Sequence, residues 1–151
     1  MEKRIPDVLK YHILPFDWDV KSVWALESQV IEEKRSKLDY LLHLPLWSSI
    51  PNKGMLFDIT PIEVITDPRR SPHQTERIEK TDESYPIDML HFEGKLWILD
   101  GVHRLAKLFR SDTDLVRLRV HPDSVIEKIK SANQACQAMP VTLRSTAIAC
   151  T

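Results

Sequence analysis

The stretch IDMLHFEGKLWILDGVHRLAKLFR, residues 87–110, decides the fold. Its first arm, residues 87–92, and its second, residues 95–99, are joined by Glu93-Gly94. A two-residue connection containing glycine between apolar runs reads as a β-hairpin, because glycine supplies the positive φ of a tight turn. The second arm, KLWIL, is nearly all apolar, the pattern of a strand buried on both faces, so it is expected to be central in its sheet. It runs into Asp100-Gly101, after which Val102, Leu105, Leu108 and Phe109 recur at helical spacing. That succession of strand, sharp turn and helix predicts an α/β domain.

C-terminal to this stretch, Val116, Leu118 and Val120 alternate on one face of a predicted strand over residues 115–120. Arg117 and Arg119 share the other face with Leu115, which suits a charge-protected edge as well as a nucleic-acid contact. His121-Pro122-Asp123 stops that strand, and Asp123 or Ser124 can cap a helix reaching roughly to Ala138. The tail, residues 140–151, has no clear period. N-terminal to the hairpin, residues 66–86 are polar and proline-punctuated, with one or two helical turns expected over residues 73–81. Residues 55–65, MLFDITPIEVI, read as a strand broken at Pro61, preceded by a turn at residues 51–54. From Ser28, a plausible N-cap, apolar Val30, Ile31, Leu38, Leu41 and Leu42 recur with charged residues between them. A helix ending before Pro45 is expected there, with Trp24 and Trp47 packed in the core. The layout is one domain, 1–151: a helical extension (1–54), a core (55–122), and a C-terminal helix with its tail (123–151).

Composition removes several functions. The 151 residues are 42% hydrophobic and 28% charged, which fits one globular domain rather than a disordered chain. Lys plus Arg number 21 against 22 Asp plus Glu, so bulk attraction to DNA or an anionic membrane is not implied. The three glycines, Gly54, Gly94 and Gly101, are too scattered for a Walker loop or a dinucleotide-binding G-x-G-x-x-G. Cys136 and Cys150 form no framework, and no C-x-x-C or H-E-x-x-H spacing supports zinc. The charged start MEKRIPDVLK is no signal peptide, and no apolar run approaches membrane-spanning length. A cytoplasmic address without membrane contact is expected.

The chemistry concentrates at Asp100-Gly101-Val102-His103-Arg104. A helix start presents unpaired N–H groups and the positive end of the macrodipole, so it receives anions readily. Gly101 permits close backbone approach, and the His103 imidazole and Arg104 guanidinium add donors for a phosphate-sized group. Lys107, four residues after His103, shares its face. The plainer reading makes Asp100 an N-cap and leaves His103 and Arg104 as solvated surface.

In this context YPIDMLHFEGKLWILDGVHRLAKLFRSDTDLVRLRVHP, residues 85–122, resembles the core of the ParB/sulfiredoxin superfamily. ITPIEVITDPRR, residues 59–70, resembles that family's opening strand with its proline-and-arginine segment. The likeness covers roughly residues 56–121 and implies a compact mixed sheet with helices. It also implies a nucleotide (ATP, ADP or CTP) with its phosphates at the Gly101 turn, accompanied by Mg²⁺. Sulfiredoxins carry a nucleophilic cysteine where this chain has Val102, so thiol chemistry is not expected. ParB proteins read Gly-x-Arg-Arg, from which His103 departs, and no helix-turn-helix region follows. The free-serine kinases of the superfamily read Asp-Gly-His-His-Arg, matched here by Asp100, Gly101, His103 and Arg104 with Val102 for the first histidine. By that likeness Asp100 and His103 are catalytic, and Gly101, Val102, His103 and Arg104 bind phosphate. The kinases' glutamate has two candidates, Glu63 and Glu76, neither at a secure match.

Arg69 and Arg70 match the family's basic segment and are accessory candidates, as is His73 if its loop folds over the turn. A loop arginine pair or a lone histidine is as readily explained as solvated surface. The expected function is nucleotide binding with phosphoryl transfer to a small hydroxyl compound, or nucleotide hydrolysis. The alternative is a ParB-like module that binds DNA or a protein without chemistry. Near-neutral charge and the missing helix-turn-helix count against DNA.

Overall fold

The computed structural model describes residues 5–52 and 56–131. Four strands form one mixed sheet: β1 (Val30–Lys34), β2 (Ile87–Phe92), β3 (Lys95–Asp100) and β4 (Leu115–His121), in the order β1-β4-β2-β3. β2 and β3 are the expected antiparallel hairpin, and Glu93 and Gly94 both take positive φ, 51° and 79°. β2 lies parallel to β4, with Ile87 opposite Leu118. β1 closes the other edge antiparallel to β4. Helices α1 (Val20–Trp24), α2 (Pro61–Thr66), α3 (Pro72–Lys80), α4 (Val102–Arg110) and α5 (Ile126–Ile129) complete the fold, with short 3-10 turns between them. The chain is therefore mixed α/β.

Alternation along the hairpin divides the core in two. Ile87, Met89 and Ile98 face one cluster with Leu41, Leu42, Val64, Ile78, Leu105 and Leu118. Leu90, Trp97 and Leu99 face a second, with Leu14, Val23, Val125 and Ile129. α4 is built as its apolar spacing predicts, burying Leu105 and Ala106.

Several expectations are corrected. Residues 28–44 are not a helix: Val30–Lys34 form β1, followed by 3-10 turns at Arg35–Lys37 and Asp39–His43. Strand pairing from Val30↔Arg119 to Lys34↔Leu115 overrides the helical spacing, and β-branched Val30 and Ile31 suit that role. The N-terminal extension is thus not purely helical. Ser28 caps no helix; its hydroxyl bonds His121.

β3 is not central but stands at the sheet edge. Its apolar run is explained by cover on both faces, and Trp97, Ile98 and Leu99 are buried. The incoming N-terminal segment provides part of that cover, with Trp18 Nε1 donating to Leu99 O at 3.1 Å. Lys95 donates to Tyr11 O, so the edge is partly occupied by local chain rather than by a fifth strand.

Among the described residues of the expected 55–65 strand, only Ile59 makes a bridge, to Trp47. Pro61 starts α2 rather than breaking a strand, since its fixed φ and missing N–H suit a first helical position. Thr60 and Glu63 close a reciprocal capping box at 3.1 and 2.8 Å. Trp47 is buried as expected, but Trp24 is 56% exposed. Asp123 opens a 3-10 turn without a side-chain cap, and α5 is only four residues long. The expected continuation to Ala138, the tail, Cys136 and Cys150 lie outside the described residues. Among the described residues, no helix is long and apolar enough to cross a membrane.

Candidate functional site

The hairpin ladder is irregular at one point. Asp88 pairs with Asp100, but Met89 pairs with Ile98, leaving Leu99 as an extra residue on β3. Directly opposed residues share a face, so this β-bulge brings the two carboxylates to the same side. Strict alternation from Ile98 would instead put Asp100 on that residue's face.

Each carboxylate is held by specific donors. Asp100 Oδ2 accepts from Trp24 Nε1 at 2.8 Å and from Arg104 Nη2 at 2.7 Å. Arg104 Nη1 donates to Pro86 O. Asp88 is 2% exposed, and its Oδ1 pairs with Arg119 Nε at 2.6 Å and His121 Nε2 at 2.9 Å. Arg119 also donates to Leu26 O and Val23 O at 2.8 and 3.0 Å, tying the α1 loop to the sheet. Together Trp24, Tyr85, Pro86, Asp88, Arg104 and Arg119 line a pocket of about 410 Å³. Two of these residues are exposed aromatic rings, Trp24 and Tyr85.

Asp100 is therefore no N-cap. Gly101 occupies that position at φ 119°, with no side-chain cap on α4. The first backbone bond into the helix is Leu105 N–H to Gly101 O, so the amides of residues 102–104 have no acceptor among the described residues. Glycine is required here twice over: by its dihedral, and because a Cβ would sit 3.2 Å from three atoms of Ile87.

His103 points away from Arg104 and the pocket. Its ring stacks on Trp47, centroids 4.3 Å apart and planes 12° from parallel. Its Nε2 lies 2.7 Å from Gln74 Oε1. Gln74 Nε2 donates to Ser48 O at 3.0 Å, so Oε1 is the acceptor and His103 carries its proton on Nε2. Burial, reinforced by Arg77, His73 and Arg104, pushes the imidazole down to about 3. In the unfolded chain it protonates below its ordinary 6.5, whereas in the fold it stays neutral. Its stabilising contribution is thus complete above pH 6.5 and lost as acid approaches the folded value. The slope is at most about 1.4 kcal/mol per pH unit. His103→Phe, which keeps a ring on Trp47, should flatten the fall in urea-unfolding free energy between about pH 6 and 4. Equal slopes in the two proteins would show that folded His103 accepts a proton.

The accessory candidates lie elsewhere. Glu63 belongs to the α2 capping box and pairs with Arg70 at 3.4 Å. That bond to the Thr60 backbone amide, with Arg70 nearby, lowers the carboxyl below its ordinary value. Arg69 is exposed and pairs with Asp67 at 3.4 Å. His73 Nδ1 lies 3.2 Å from Ser71 Oγ, which itself donates to Ser49 O. Lys107 donates to the carbonyls of Glu79 and Thr81 at 3.1 and 2.9 Å, closing the end of α3. None of these lines the pocket.

Sequence reasoning passed over Trp24, Tyr85 and Asp88 and saw Arg119 only as a basic strand residue. One signal was available: Asp88 is a lone carboxylate inside the apolar run IDML. Among the described residues no three His, Cys, Asp or Glu side chains gather as a ready cation site. Asp100 Oδ1, without a hydrogen bond among those residues, is the carboxylate oxygen beside α4 that could meet a phosphate-borne Mg²⁺. No protein-family model, no curated protein and no solved structure matches this chain.

Proposed function

We propose that the chain binds a nucleotide in this pocket, its base against Trp24 and Tyr85 and its phosphates toward Arg104 and the start of α4. One observation carries the reading. A pocket flanked by two exposed aromatic rings shares Arg104 with a helix start whose amides lack acceptors. Stacking against aromatic rings suits any base, and uncapped amides suit a phosphate. The ParB/sulfiredoxin resemblance of the same turn supports it.

Phosphoryl transfer to a small hydroxyl compound, or hydrolysis, is the catalytic form of this proposal. Asp100 Oδ1 would accept the acceptor's proton, and Arg104 would balance charge on the transferring group. With that oxygen acting as base, a Mg²⁺ carried by the phosphates would add Lewis-acid stabilisation. His103, held by Gln74 and Trp47, fits a positioning role better than a phosphate contact. That commitment favours the second reading, a nucleotide-responsive binding module without turnover.

Calorimetric titration with ATP, ADP, CTP and GTP in Mg²⁺ should detect binding, and phosphate release then separates enzyme from module. Trp24→Ala should weaken binding by roughly tenfold to a hundredfold, the worth of one base–aromatic stack. It should change stability little, since the ring is exposed and the bond it loses, to Asp100, lies at the surface. Arg104→Ala should weaken binding to a similar extent, but it also breaks the bonds to Asp100 and Pro86 and so costs stability. The reading is wrong if no nucleotide binds, or if Trp24→Ala binds as well as the parent.

A further inference from the structure

Both guanidiniums of the pocket are largely engaged. Arg119 spends Nε, Nη1 and Nη2 on Asp88, Leu26 O and Val23 O. Arg104 directs its two terminal nitrogens to Pro86 O and Asp100. The Asp88 carboxylate is different. Its Oδ1 takes both bonds, from Arg119 and His121, while Oδ2 receives none among the described residues. His121 cannot swing to meet it, because its other nitrogen is held by Ser28 Oγ at 2.7 Å. No buried side-chain oxygen of the described residues lacks a partner, so Oδ2 is accessible, and Asp88 lines the pocket.

A fixed, nearly buried carboxylate oxygen in an aromatic-flanked pocket is an acceptor awaiting a donor. An acceptor placed against it stays unpaired and is repelled. We infer that Asp88 Oδ2 accepts a hydrogen bond from an exocyclic amino group on the ligand's ring, so that the site selects amino-bearing bases over their oxo counterparts. This rests on the nucleotide reading and names the ligand class within it. Adenine and cytosine present such an amine at the rim of a planar ring. Hypoxanthine and uracil present a carbonyl there, and their ring N–H is flanked by that carbonyl. The selection is by differential affinity, combining a bond to the right base with a mismatch to the wrong one.

The test uses the full chain and ligand-side changes alone, so folding is not disturbed. ATP is titrated against ITP and CTP against UTP. Adenosine is then compared with purine riboside, which lacks the amine without gaining a carbonyl. ATP and CTP are expected to bind about tenfold to a hundredfold more tightly than ITP and UTP, the worth of one hydrogen bond to a charged group. Adenosine should exceed purine riboside by a similar factor. Asp88→Asn, which can turn a donor toward the pocket, should shift preference toward ITP and UTP where the variant folds. Equal affinity within the ATP/ITP and CTP/UTP pairs overturns the role of Asp88 and leaves the nucleotide reading standing. Failure of every nucleotide and nucleoside to bind overturns both.

Discussion

Replacing Gly101 with alanine should lower the thermal midpoint by on the order of 5–10 °C. The residue holds φ 119°, outside the region an L side chain adopts readily, which alone costs about 1–3 kcal/mol. The added Cβ would also stand 3.2 Å from the Ile87 backbone and both branches of its side chain. Ile87 is 1% exposed in the core under β2, so it cannot move aside without disturbing neighbours. Differential scanning calorimetry measures the shift. A change under about 2 °C would mean that the turn relaxes to an ordinary conformation.

The second large effect should come from Asp88→Ala, at about 3–5 kcal/mol by urea unfolding. The substitution leaves Arg119, whose side chain is 17% exposed, and His121, which is fully buried, without their shared acceptor. Removing Arg119 as well should recover part of the loss, because the residual penalty is an unpaired buried charge rather than a missing contact. A cost below about 1 kcal/mol, or strict additivity of the two changes, would show that water already satisfies this cluster.

The parts of the fold legible in the sequence were those where local pattern and tertiary role agree. The hairpin, α4 and β4 each carry their own period and their own stop, from Gly94 to Pro122. The region around Val30 and Ile31 failed because apolar residues at helical spacing also serve a short strand, and only pairing with β4 decides between them. β3 misled differently. An apolar run reports that both faces are covered, and Trp18 and its neighbours cover a sheet edge as completely as flanking strands would. In the site, Asp100 and Arg104 were legible because they share one turn. Trp24, Tyr85, Asp88 and Arg119 were not, since they come from three separate segments that meet only in the folded chain. His103 was visible, but the face it occupies depends on Gln74 and Trp47, which no spacing along α4 reveals.

The extra residue at Leu99 makes the pocket depend on strand register as much as on residue identity. Many side chains of β3 can be exchanged for others of similar size while Asp100 stays opposite Asp88. Were the ladder regular at the present strand length, Leu99 would oppose Asp88 and the acid would turn toward the opposite layer. Trp24 and Arg104 would then lose the carboxylate they share. The bulge thus acts as a reading frame for the site, setting which face of the sheet the last residue of β3 presents.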